Sequence, residues 1–132
     1  MDIDRIENEY HTIWIENGII HGSYNPNLKV IDITIAKKLV SDRLKLSNGI
    51  TRPVLVDTSN AKTINKEAEE YMATGDAMKY LSAAAILVHS RVAKVMASIY
   101  ISLSRPKIPT KVFIDKAKAL VWLEQFKLSK LN

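Results

Sequence analysis

From residue 10 onward the apolar positions fall into strand-like and helix-like patterns in turn. Residues 10–16, YHTIWIE, are rich in aromatic and β-branched side chains with apolar positions two apart, the period of a half-buried strand. Asn17-Gly18 follows, and both residues tolerate the positive φ of a two-residue type I′ turn. Residues 19–24, IIHGSY, then form the return strand. Such a turn sets the register: Glu16 opposite Ile19, Ile15 opposite Ile20, Trp14 opposite His21. One hairpin face carries His11, Ile13, Ile15, Ile20 and Tyr24 and is expected to be core. The other carries Thr12, Trp14, Glu16, Ile19, His21 and Ser23.

Residues 28–33 are a short connection or strand end. A helix capped by Thr34 or Asp32 is expected to run to about Ser47. Its stripe is Ile35, Ala36, Leu39, Val40, Leu44 and Leu46, and Asn48-Gly49 ends it. After Pro53 the run VLVD, closing on Asp57, has the pattern of a strand buried on both faces. Asn65 caps a second helix whose early Glu67, Glu69 and Glu70 suit the helix dipole. Ala68, Tyr71 and Met72 supply its inner face, and Gly75 interrupts or ends it. Residues 81–88, LSAAAILV, make another interior strand. Ser90 caps a helix with Val92, Val95, Met96, Ile99, Tyr100 and Leu103 as its apolar stripe. Pro106 and Pro109 keep the next segment out of helix. Residues 111–114 form a last strand, and Asp115 caps a final helix with Leu120, Leu123 and Phe126 inward. Trp122 is expected to be core or half-buried, and Met72, Met78 and Met96 are read as gap-fillers.

The order β-β-α-β-α-β-α-β-α implies an α/β protein with right-handed crossovers and a mainly parallel sheet. It is read as a single domain over residues 10–127, with an acidic extension at 1–9 and a tail at 128–132. The 132 residues contain no internal repeat and no linker that would split them.

Composition narrows the chemistry. There is no cysteine, which excludes disulfides, thiolate metal sites and cysteine nucleophiles, and fits a reducing cytoplasm. The N-terminal MDIDRIENEY has no apolar run of the signal-peptide kind, and no stretch approaches the ~20 apolar residues of a membrane span. A cytoplasmic location is expected. The formal charge is +5, but residues 1–9 carry four acids (Asp2, Asp4, Glu7, Glu9) against Arg5 alone. The rest holds 18 bases and 10 acids, a net +8. The densest bases, Lys37, Lys38, Arg43 and Lys45, share one helix and read as a solvated face. No aromatic residues interleave with them, so nucleic acid is not an expected partner.

No reactive constellation emerges. Asp57 with His89 and Ser59 or Ser90 has the residue types of a nucleophile triad, but no G-x-S-x-G elbow accompanies them. Ser90, Asn65 and Asp115 are accounted for as helix caps. Asp57 as a receiver-type phospho-acceptor would need an acidic pair after the first strand, and residues 17–25 contain no acid. The three histidines have no metal-ligand spacing, and no Gly-rich phosphate loop is present. No cofactor, metal or catalytic residue is assigned, and the protein is expected not to be an enzyme.

Two segments carry a family resemblance: VLVDTSNAKTIN, with its apolar strand, Asp, loop and capped helix, and the C-terminal KVFIDKAKALVWLEQF. Together with the element order they resemble the STAS domain, or SpoIIAA-like fold, in its SEC14-like branch of small stand-alone proteins. The resemblance covers about residues 10–127. It implies an N-terminal hairpin, four strand–helix turns, and a five-stranded, mostly parallel sheet with helices mainly on one face. STAS proteins are non-enzymatic regulators that bind protein partners and are switched by phosphorylation of a serine at the start of the second helix. Asp57 matches the end of the family's third strand and Asn65 its second Asp position. Lys66 stands where the serine belongs, so the phosphorylation switch is not expected. If all helices cover one sheet face, Trp14, Ile19 and His21 look outward. The expected partner-binding residues are therefore Trp14, His21, Asp57, Ser59, Asn65 and Lys66, for a protein partner or a second copy in a homodimer. The alternative is a small-ligand or lipid carrier, which requires an apolar pocket in place of a filled core.

Overall fold

A computed structural model of the chain describes residues 4–60 and 63–127. The hairpin forms as its turn chemistry requires. β2 (His11–Glu16) and β3 (Ile19–Tyr24) pair antiparallel, with Trp14 opposite His21 and Ile15 opposite Ile20. Asn17 and Gly18 both have positive φ, 53° and 77°. A preceding strand, β1 (Arg5–Glu7), adds to the free edge of β2. Six strands therefore replace the five expected, and the acidic extension contributes one of them. Three residues are too few to show a period of two, so β1 gave no sequence pattern. Ile6 turns toward the core and Arg5 lies over the Trp14 ring at 5.7 Å.

The remaining strands, β4 (Arg52–Asp57), β5 (Leu81–Leu87) and β6 (Thr110–Phe113), run parallel to β3 and to one another. The strand order is sequential from β1 to β6. The helices are α1 (Ile33–Ser47), α2 (Lys66–Met72), α3 (Gly75–Met78), α4 (Arg91–Ser104) and α5 (Lys116–Glu124). Their N-caps are Asp32, Asn65, Thr74, Ser90 and Asp115, each accepting a backbone N–H from three residues on. Such a bond satisfies one of the orphan donors of the first turn. Asn48 ends α1 in the left-handed conformation.

Most helices lie on one sheet face, but α5 crosses to the other. On the α1 side Ile13, Ile20, Val54 and Ala84 meet Leu46, while Tyr24 packs with Ile31 and Ile35. On the α5 side Ile19, Leu55, Ala83, Ala85 and Leu87 meet Ala119 and Leu123, with Leu120, Trp122 and Phe126 against them. Ile19 and His21 are consequently buried instead of looking outward.

The stripe of α4 also departs from expectation. Val92, Val95, Met96, Ile99 and Leu103 face solvent, from 56% to 78% exposed, and α4 has no fully buried residue. Met96 fills no gap. The helix packs beside β6 and stands off the centre of the sheet.

Candidate functional site

The space beneath α4 is a half-open cavity of about 530 Å³. Its floor is the α1 face of the sheet, with Val54, Val56, Ala84 and Ile86. Leu39 and Val40 of α1 and Met72 of α2 form one wall; Ala97, Tyr100 and Ile101 of α4 form the other. Small side chains at Ala84 and Ala97 leave room where larger ones would fill the gap. The volume falls in the ~300–1,000 Å³ range of small-molecule sites, and the lining is mainly apolar.

Two ionisable residues of α1, Asp42 and Arg43, are buried, and of the two Arg43 lines the cavity. Asp42 accepts from His11 Nε2 at 2.8 Å, Asn8 Nδ2 at 3.0 Å and Lys38 Nζ at 3.0 Å. Burial alone would raise the Asp42 pKa, but the hydrogen bonds from Lys38 and His11 outweigh it and hold the carboxyl below its ordinary value. Asn8 Oδ1 in turn accepts the N–H groups of Tyr10 and His11, fixing the bend from β1 into β2. Arg43 is only 6% exposed and donates through Nη2 to the Ala77 carbonyl at 2.8 Å. It is not part of a solvated basic face, as its neighbours Lys37, Lys38 and Lys45 led us to expect. It stands in the buried stripe of α1 at helical spacing from Ala36, Val40 and Ser47, a placement the sequence displays.

The partner-binding residues expected from the sequence separate into two places. Trp14, His21 and Asp57 surround a recess of about 70 Å³ on the α5 face, together with Lys116. The Trp14 and His21 rings stack at 5.2 Å between centroids, and Trp14 Nε1 donates to Glu16. Burial lowers the His21 pKa, against an opposing pull from Glu16. Ser59 donates through both its N–H and its hydroxyl to Asp57 Oδ1, closing the turn after β4. Asn65 and Lys66 do not line this recess; Asn65 accepts from the Ala68 N–H, and Lys66 is the exposed first residue of α2. The triad residue types do not assemble either, since the Ser59 hydroxyl is held by Asp57 and Ser90 caps α4. Among the described residues no cluster of three or more His, Asp or Glu suits a metal ion. No helix among them is long and apolar enough to cross a membrane.

A sequential sheet that opens with an antiparallel hairpin and continues in parallel strand–helix turns is a SpoIIAA-like α/β fold. The same fold occurs in an uncharacterised protein of the DUF3478 family from Shewanella loihica PV-4. That protein is 16% identical, with a TM-score of 0.65 over 89% of this chain and 97% of its own. A protein of unknown function from Arthrobacter sp. FB24 also matches, at 23% identity over 85% of this chain and 97% of its own, with a TM-score of 0.33. The chain has no match among curated proteins. Residues 13–127 match the family described as Domain of unknown function (DUF7793), and the chain belongs to that family.

Proposed function

We propose that the protein is a non-enzymatic cytoplasmic binding protein that holds an apolar small molecule between its sheet and α4. The half-open apolar cavity of about 530 Å³ carries this reading. Apolar side chains lining a half-open cavity stay in contact with water, and an apolar ligand removes them from it. The test is titration with N-phenyl-1-naphthylamine, a neutral dye whose emission rises in apolar surroundings. Saturable binding is expected for the wild type. Ala97→Trp, which puts an indole into the cavity from α4, is expected to weaken it at least tenfold without lowering the melting temperature. No dye binding by the wild type, or equal binding by Ala97→Trp, refutes the reading.

A second reading is a regulatory or scaffolding role through contacts with a protein partner or a second copy. Its support is Trp14, which stays half-exposed on the α5 face while the ring of His21 stacked on it is buried. A large ring in that setting suits an interface anchor. In this reading Asp57, Ser59, Asn65 and Lys66 extend the contact surface, without a serine switch at Lys66.

A further inference from the structure

The charged groups of the cavity wall are unevenly placed. Four charged side chains line it: Arg43, Glu69, Arg105 and Lys107. The three cations share one end. Arg43 is bonded to the carbonyl of Ala77, four residues before β5 begins. Arg105 caps the C-terminus of α4, and Lys107 lies three residues before β6. All three therefore sit at the edge where the parallel strands β5 and β6 start. Glu69 lies in the middle of α2.

Arg43 differs from the other two in being buried. One of its terminal nitrogens, Nη2, is satisfied by Ala77. The other, Nη1, is enclosed and has no hydrogen-bond partner among the described residues. No carboxylate among them forms an ion pair with the guanidinium either. Burial pushes its pKa down to about 10, with Tyr71 opposing, so it remains charged at neutral pH. A buried cation without a counter-charge is costly to the fold, and an anion brought by a ligand removes that cost. A carboxylate matches a guanidinium in both charge and planar geometry. The rest of the wall asks for hydrocarbon. An apolar void of ~150 Å³ holds one benzene, so about 530 Å³ corresponds to roughly twenty non-hydrogen atoms. That is the size of a single long acyl chain with its head group.

Resting on the cavity-binding reading, we propose that the ligand is a long-chain carboxylate. Its head group pairs with Arg43 at the edge where β5 and β6 begin, and its chain lies along Val54, Val56, Ala84 and Ile86 beneath α4. Arg105 and Lys107, exposed at the same end, draw the anion toward that edge.

The test is displacement of bound N-phenyl-1-naphthylamine by hexadecanoate and by hexadecanol, which share a chain and differ in charge. The readout is the ratio of the two half-displacing concentrations at low salt and pH 8. For the wild type hexadecanoate is expected to act at a concentration at least tenfold lower. Arg43→Met is expected to bring the two within about twofold, and Arg43→Lys to keep a ratio between those values. Should Arg43→Met fail to fold, Arg105→Gln with Lys107→Gln is expected to lower the wild-type ratio at least twofold, since both side chains are exposed. Equal displacement by the two compounds in the wild type overturns the proposal, as does a tenfold ratio that survives Arg43→Met or an unchanged ratio in the double variant. Failure of the dye itself to bind refutes the cavity reading and this proposal with it. Dye binding without a carboxylate preference refutes this proposal alone.

Discussion

Asp42 ties α1 to β2 and to the bend before it by hydrogen bonds, and its removal has a calculable cost. The carboxylate is 2% exposed and accepts from His11, Asn8 and Lys38. In Asp42→Ala the His11 ring, which is fully enclosed, and the Asn8 amide lose their acceptor. Each stranded buried donor costs about 1–3 kcal/mol. Lys38 is 45% exposed, so its ammonium rehydrates and adds little. The enclosed His11 donor gives about 1–3 kcal/mol and the half-buried Asn8 amide a part of that again, a sum of about 1–5 kcal/mol that includes the ~3–5 kcal/mol typical of deleting one member of a buried pair. We expect a loss in that narrower range, a large part of the ~5–15 kcal/mol that holds a domain together. Urea unfolding followed by circular dichroism reads it as a lower midpoint at unchanged slope. The pH dependence has a definite sign. The folded Asp42 pKa lies below its ordinary value, so its contribution is whole above the unfolded carboxyl pKa of about 3.9 and fades as pH falls through the depressed one. The gap between wild type and variant should therefore close only in acid. A midpoint change worth less than about 0.5 kcal/mol at neutral pH, or a gap that persists in strong acid, refutes this account of the network.

Two further outcomes follow from burial. Leu103, 78% exposed on the outer stripe of α4, should tolerate Leu103→Ser within about 0.5 kcal/mol in the same urea assay; a loss above about 1 kcal/mol would mean that the stripe is covered. Trp14→Ala gives up the stack on His21, about 0.5–1.5 kcal/mol, and should keep its fold while lowering the mass measured by light scattering from dimer to monomer; equal masses for the two proteins remove the homodimer reading.

Local chemistry made much of this architecture legible. Asn17-Gly18 fixed the hairpin register residue by residue, Asn65, Ser90 and Asp115 each cap a helix as expected, and of the two candidates for α1 the cap is Asp32, with Thr34 inside the helix. What escaped depends on partners distant in the chain. The face taken by α5 shows only in tertiary contacts, where Ala119 and Leu123 close against Ala83 and Ala85 of β5. The stripe of α4 has the spacing of a core-facing helix, yet spacing does not say which side meets the sheet. Here the smaller Ala97 and Ile101 line the cavity, Tyr100 borders it while staying 42% exposed, and Val92, Met96 and Leu103 turn out. The candidate site was the least legible part. The sequence pointed to the edge where the strands end, where α/β ligand sites are found, and to the hairpin face with Trp14 and His21. The cavity and its cations instead open a different region, between the sheet and α4.

Arg43 could have been noticed on one ground. It falls in the buried stripe of α1 beside Asp42, so two adjacent ionisable residues enter the interior at a helix turn where an apolar residue would cost less. Each has a different use for that position. Asp42 is fully employed within the protein, joining α1 to His11 on β2 and to Asn8. Arg43 is half employed, joining α1 to the segment before β5 through Ala77 and leaving Nη1 free of any described partner. These bonds tie the C-terminal half of α1 to His11 and to Ala77, both of which line the cavity. The facing wall, α4, has no fully buried residue and leans on β6. If the cavity holds a carboxylate as proposed, the wall tied down by buried polar groups would hold its head group, and the less buried α4 would be the side past which it enters.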